Sequence, residues 1–135
     1  MDDYEYAKRL ISAARKDLRA LAGMEDTVVF AEEVFGFHAQ QAIEKALKAR
    51  LSLAGIEYPK THDISLLLSI LAKCGVITED YTDLLEFNPY AVQLRYEAFD
   101  EIGKPLDRAA VIRRVTEVVE STQQIINNYL RSDGQ

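Results

Sequence analysis

The stretch "FHAQQAIEKALKAR" (Phe37–Arg50) carries the pattern on which the fold prediction depends. Small apolar residues recur in it at steps of three and four, which places them on one face of an α-helix. The pattern extends beyond the stretch in both directions, through Val28, Ala31, Phe35, Ala39, Ala42, Ala46, Ala49 and Leu53. Alanines let a neighbouring helix approach closely, so the stretch predicts the central helix of a bundle.

The same stretch also contains seven polar or charged side chains: His38, Gln40, Gln41, Glu44, Lys45, Lys48 and Arg50. On a helix, one polar stripe falls opposite the small apolar face, and it consists of Phe37, Gln41, Glu44 and Lys48. We expect this stripe to face away from the main core.

Capping residues indicate the ends of three long helices. The expected N-caps are Asp2 or Asp3 for the first helix, Asp26 or Thr27 for the central helix, and Asp107 for the last. Gly55 is expected to end the central helix in the left-handed conformation. The last helix carries apolar residues at steps of three and four from Val111 to Tyr129.

Shorter helices are predicted between the central and the last helix. Thr61 or Asp63 caps one of them, and Gly75 closes it. Another begins at Thr78 and is expected to break at Asn88 and Pro89, before a renewed helix with Tyr90, Leu94 and Arg95. A loop follows Tyr96. The sequence therefore predicts an all-α, up-and-down bundle of three long helices plus shorter helices, in a single domain over residues 1–135.

The composition limits the function further. The chain has 135 residues, with 16 basic and 22 acidic side chains, and the net charge of −6 argues against nonspecific binding to a polyanion. The outward side of the first helix is nevertheless expected to be locally basic, with one acidic residue, Asp17, against five basic ones: Lys8, Arg9, Arg15, Lys16 and Arg19. The single cysteine, Cys74, and a start without an apolar leader favour the cytoplasm. No apolar run is long enough to span a membrane.

The sequence gives no support to the common catalytic chemistries. His38 and His62 lack the spacing of a metal site, and there is no glycine-rich phosphate loop or nucleophile elbow. We therefore expect neither a metal nor another cofactor.

Three motifs in order carry a family resemblance: "QQAIEKALKA" at residues 40–49, "THDI" at residues 61–64, and the pair Arg95–Tyr96. Together they resemble the HEPN domain (higher eukaryotes and prokaryotes nucleotide-binding), over residues 7–129. The resemblance implies a helical bundle that commonly forms a homodimer. It also implies a gene often paired with a minimal nucleotidyltransferase in toxin–antitoxin modules.

Many proteins of this family are metal-independent ribonucleases, in which an arginine is followed after four to six residues by a histidine. Arg95 matches the arginine, but "YEAFDEI" follows it and no histidine occurs after His62. Histidine is suited to proton transfer near neutral pH, whereas an arginine alone can only bind phosphate or stabilise charge. The sequence thus leaves open whether this protein is an enzyme.

Five residues are candidates for binding a nucleotide or RNA phosphate: Arg95, Lys45, Lys48, His62 and Tyr96. Each has a structural alternative, namely an ion pair, a helix-face pair between Glu44 and Lys48, hydrogen bonding at a helix start, or packing of the tyrosine ring. The favoured hypothesis is a HEPN protein that binds nucleotide or RNA phosphate and acts with a nucleotidyltransferase partner. The alternatives are a metal-independent endoribonuclease toxin and a dimerisation or scaffold bundle without ligand.

Overall fold

Four α-helices and one 3₁₀ helix form the described part of the chain, which in the computed structural model is residues 2–91 and 104–133. In order they are α1 (Asp3–Ala22), α2 (Glu32–Leu53), α3 (Ile64–Lys73), the 3₁₀ helix (Glu79–Ala91) and α4 (Arg108–Asp133). These ranges contain no strand. The expected all-α bundle of three long helices plus shorter helices is confirmed.

Helix α2 is the centre of the bundle, since it contacts each of the other four helices. Its alanines are fully buried, and so are the larger apolar side chains beside them, Phe35, Ile43, Leu47 and Leu51. They pack in one core with Ile11 and Ala14 of α1, Leu67 and Leu71 of α3, and Val115 and Val118 of α4. No helix in the described ranges is long and apolar enough to cross a membrane.

Side-chain caps fix three helix starts as the sequence predicted. Asp2 accepts a hydrogen bond from the Glu5 amide at 2.8 Å, and Asp63 accepts one from the Ser65 amide at 2.9 Å. Asp107 accepts one from the Ala110 amide at 3.2 Å. The two predicted terminating glycines are both left-handed, with φ of 72° at Gly55 and 92° at Gly75.

The start of α2 differs from the prediction. Asp26 closes a tight turn, because its carboxylate accepts hydrogen bonds from the amides of Val28 and Val29 at 2.9 and 3.1 Å. The helix begins only at Glu32, after an extended Ala31. Val28 is therefore not part of the apolar face of α2, and 92% of its surface is exposed.

A buried arginine holds the connection between α1 and α2. Arg108, at the start of α4, is only 5% exposed, and its guanidinium lies over the ring of Phe35 at 4.8 Å. It donates to the carbonyls of Met24 and Phe30, each at 2.8 Å. The spacing of residues in the sequence does not indicate this contact.

The expected break at Asn88 and Pro89 is also absent. The 3₁₀ helix runs through Pro89 to Ala91. The side chain of Asn88 does not cap a renewed helix here but binds the start of α3. Its side-chain oxygen accepts from the amide of Ile64, and its nitrogen donates to Asp63, both at 2.8 Å. The proposed renewed helix with Leu94 and Arg95 lies outside the described residues.

We predict that Gly36→Ala destabilises the fold, because Gly36 faces the buried ring of Tyr90. An added Cβ would lie 2.5 Å from Cγ and Cε1 of that ring, which is only 1% exposed and has little room to move. Overpacking of this kind costs about 1–3 kcal/mol, measurable as a lower urea midpoint.

The matched control is Gly23→Ala. A Cβ at Gly23 meets nothing closer than the Ala20 carbonyl at 3.6 Å, so stability should stay equal or rise by up to about 1 kcal/mol. Equal urea midpoints for the two variants would contradict the predicted clash.

Candidate functional site

The polar stripe of α2 is partly covered, which corrects the expectation that it faces away from the core. Glu44 is only 4% exposed, and the neighbouring Gln40 is fully buried. Phe37, Gln41 and Lys48 are half-buried. The stripe is covered because the residues just before α3 contact this side of the helix.

The carboxylate of Glu44 is surrounded by hydrogen-bond donors. One oxygen, Oε1, accepts from Gln40 Nε2 and lies next to His62 Nδ1, both at 2.9 Å. The other, Oε2, accepts from Lys48 Nζ at 2.8 Å. A buried carboxylate requires such partners, since an unpaired charge in the interior is costly.

Two of these donors also bind the chain before α3. Lys48 Nζ donates to the carbonyl of Thr61 at 2.7 Å, and Gln40 Nε2 donates to the carbonyl of His62 at 3.0 Å. The network around Glu44 therefore fixes both the side chain and the backbone of His62.

The surroundings of Glu44 favour its charged form. Burial alone would raise the pKa of this carboxyl, but hydrogen bonds from Lys48, Gln40 and His62 outweigh burial and hold the pKa below its usual value. Glu44 is thus an anion at neutral pH. An anion at this position needs an N–H group opposite it, so Nδ1 of His62 carries a proton and donates to Glu44.

His62 directs its other nitrogen away from this network. Its side chain is 65% exposed, and among the described residues Nε2 has no hydrogen-bond partner. The residue lines a shallow depression of about 510 Å³, together with Thr61, Asp63, Asn88, Pro89 and Ala91. The imidazole is therefore oriented by Glu44 and accessible from the depression.

Asp63, which also lines the depression, binds side chains of two helices. Its carboxylate accepts hydrogen bonds from the side chains of Ser65 at 2.7 Å and Asn88 at 2.8 Å, and these bonds lower its pKa. These contacts fix the start of α3 against the end of the 3₁₀ helix. Within the two described ranges, no group of three His, Cys, Asp or Glu side chains could hold a metal ion.

A second carboxylate cluster joins α1 to α2. Asp17 of α1 is 9% exposed, and its Oδ1 lies 3.0 Å from His38 Nδ1. Its Oδ2 accepts from Lys45 Nζ at 2.6 Å. Each carboxylate thus holds one imidazole and one ammonium group.

Of the three predicted site residues that the structure describes, two lie together. Lys48 and His62 share the carboxylate of Glu44, and the pair of Glu44 and Lys48 that was the structural alternative is present. Lys45 is bound to the separate carboxylate of Asp17. The other two candidates, Arg95 and Tyr96, lie outside the described residues.

Sequence reasoning did not identify Gln40 and His38 as residues of these clusters, and its placement of Asp17 on the outward side of α1 is wrong, because Asp17 is buried against α2. A signal for Asp17 was present, because it follows Ala14 by three positions and precedes Leu21 by four, which places it on the apolar face of α1. An acidic residue on an apolar face requires a buried partner. The sequence did not show which residue would provide it.

We predict that Glu44→Gln destabilises the protein by about 1–3 kcal/mol at pH 7, because an amide cannot compensate the half-buried charge of Lys48. The pKa of Glu44 is lower in the folded protein than its ordinary value. Its stabilising charge is therefore fully present above the ordinary carboxyl pKa and is lost as pH falls through the folded-state pKa.

The measurement is the urea unfolding free energy of wild type and Glu44→Gln as a function of pH. The difference between them should be largest near pH 7 and should shrink below about pH 4. A difference independent of pH would show that the charge of Glu44 does not stabilise the fold.

Comparison with known proteins identifies the family. The family model described as HEPN domain matches residues 4–128, which is nearly the whole chain. Searches of curated proteins and of solved structures give no significant match. The match agrees with the all-α bundle and with the three motifs of the sequence. The chain belongs to the HEPN domain family.

Proposed function

We propose that the protein binds a nucleotide, or the phosphate of an RNA, in the depression beside His62. The observation that carries the proposal is the oriented imidazole: Glu44 holds Nδ1 at 2.9 Å, while Nε2 has no partner among the described residues. In the imidazolium form Nε2 donates a hydrogen bond to a phosphate oxygen. Membership of the HEPN family supports a function that involves nucleotides or RNA.

Residues in and beside the depression complement the contact that His62 offers. The carboxylate of Asp63 is already bonded to Ser65 and Asn88. Pro89 adds exposed apolar surface, and the ring of His62 can stack on a base. Lys48 keeps one of its three N–H donors, since Glu44 and the carbonyl of Thr61 use two.

Arg95 is the proposed second phosphate contact. It follows Ala91, a residue of the depression, by four positions, and four extended residues span at most about 14 Å. A guanidinium suits bidentate contact with phosphate. Tyr96 remains a candidate for stacking on a base.

We further propose a homodimer in the cytoplasm that acts with a minimal nucleotidyltransferase in a toxin–antitoxin-type module. The partner and the module depend on the family resemblance. The neighbouring valines of the turn before α2, Val28 at 92% and Val29 at 67% exposed, are apolar surface of the kind that a protein partner covers.

We predict that wild type binds ATP and a short RNA in calorimetric titration, and that His62→Ala and Arg95→Ala each weaken both ligands about tenfold. Tenfold corresponds to about 1.4 kcal/mol, the value of one lost charge-assisted hydrogen bond.

Lys73→Gln is the control for this titration, because Lys73 is an exposed cation at the end of α3 and does not line the depression. Its affinities should equal those of wild type. Unchanged affinity in both His62→Ala and Arg95→Ala would exclude the depression as the binding site.

We also predict that the purified protein in EDTA does not cleave RNA at a rate typical of the ribonuclease toxins. The position at which those proteins carry a histidine is occupied by "EAFDEI". Loss of a general acid or base lowers a rate by ~100-fold to 10,000-fold, so cleavage should be near background.

The control for a contaminating nuclease is Arg95→Ala, to which a host enzyme is indifferent. Cleavage by wild type that disappears in both Arg95→Ala and His62→Ala would contradict the prediction. It would favour the endoribonuclease alternative, with His62 as the proton-transfer group.

A further inference from the structure

Two carboxylates at the surface of α2, those of Glu44 and Asp17, each bind one imidazole and one lysine ammonium group. Asp17 holds His38 through Nδ1 at 3.0 Å and Lys45 through Nζ at 2.6 Å, as Glu44 holds His62 and Lys48. Among the described residues, Nε2 of His38 has no hydrogen-bond partner. The side chains of His38 and Lys45 are 27% and 28% exposed, so a ligand can reach both.

The two clusters are connected along one side of α2. At 100° per residue, five partly exposed side chains share this side, and we name them the α2 track: Phe37, His38, Gln41, Lys45 and Lys48. From the first to the last of these residues the helix rises about 16 Å. Lys48, at one end, donates to the carbonyl of Thr61, the residue before His62, so the track leads to the proposed nucleotide site.

The track keeps hydrogen-bond donors that its own carboxylates do not use. Lys45 uses one of its three N–H groups on Asp17. Phe37 lies with its ring centroid 5.6 Å from that of His38 in an edge arrangement, and the side chain is half-buried. An aromatic ring beside cationic donors is the combination that binds single-stranded nucleic acid.

The charge of this surface depends on the imidazoles. The carboxylates of Asp17 and Glu44 compensate the ammonium groups of Lys45 and Lys48. Asp63, the residue after His62, carries a further carboxylate. It accepts hydrogen bonds from the Ser65 amide of α3 and from the Asn88 side chain of the 3₁₀ helix. A protonated imidazole carries one positive charge, on the track at His38 and at the adjoining nucleotide site at His62.

We propose that the α2 track binds single-stranded RNA that continues from the nucleotide held at His62. In this arrangement His38 and Lys45 contact phosphate, and Phe37 provides a stacking surface for a base. The inference depends on the proposed function, because the nucleotide at His62 sets the start of the strand.

The experiment compares AMP with a single-stranded RNA of five nucleotides by calorimetric titration. Wild type should bind the pentanucleotide at least tenfold more tightly than AMP. His38→Gln, Lys45→Gln and Phe37→Leu should each weaken the pentanucleotide roughly tenfold, the effect of one phosphate contact or one stacked base. AMP affinity should not change in these three variants.

The variants separate binding from folding. Gln at position 38 can still donate to Asp17, and Leu at position 37 removes the ring without breaking an ion pair. Lys73→Gln removes the same charge as Lys45→Gln from a distant helix end, so it should leave both affinities unchanged. If Lys45→Gln unfolds at a lower temperature than wild type, Phe37→Leu and His38→Gln decide the result.

Competition with a polyanion provides a second readout. A polyglutamate peptide of equal charge should not displace the RNA, since it has no base to stack on Phe37.

The outcomes distinguish this inference from the proposed function. If AMP binds and depends on His62, but the pentanucleotide binds no more tightly and ignores the three variants, the track is excluded and the nucleotide site stands. If the pentanucleotide depends on His38 and Phe37 while AMP does not bind, the track is supported and the nucleotide site is excluded. Binding of neither ligand excludes both, and displacement by polyglutamate would show an electrostatic surface only.

Discussion

A buried carboxylate determines the candidate site. Glu44 lies in the covered part of α2, where an ionised group persists only if donors surround it. Those donors are Gln40 and Lys48 of α2 and His62, which lies just before α3. Because Lys48 also donates to the carbonyl of Thr61, the hydrogen bonds around Glu44 fix the backbone before α3 and the orientation of the His62 imidazole. Because Nδ1 is bound to Glu44, Nε2 of His62 faces outward, and no further contact is needed to orient the ring.

Much of the fold could be predicted because helix periodicity and capping are local properties. The central position of α2 follows from its alanine spacing, and the caps at Asp2, Asp63 and Asp107 follow from short side chains just before helices. The predicted start of α2 was wrong for a local reason as well. An aspartate that caps a helix and an aspartate that closes a turn both accept hydrogen bonds from amides two or three residues later, and Asp26 does so in a turn.

The site was harder to predict, because periodicity shows which side chains share a face but not what covers that face. The polar stripe around Glu44 is covered by a segment without any periodic pattern. For the same reason the sequence did not show that Asp17 of α1 binds Lys45, whereas the pair of Glu44 and Lys48 within α2 was among its predicted alternatives. Arg95 and Tyr96, on which the family motif depends, lie outside the described residues, so their part in the site stays a prediction.

The hydrogen bonds from Arg108 to the connection between α1 and α2 have a consequence for folding during synthesis. The hydrogen bond from Arg108 to the carbonyl of Met24 joins residues 84 positions apart, and that to Phe30 joins residues 78 apart. A ribosome completes α1 and α2 well before it synthesises α4. The nascent N-terminal half therefore lacks this anchor, and until synthesis has passed Arg108 the connection depends on local hydrogen bonds such as those of Asp26 to Val28 and Val29.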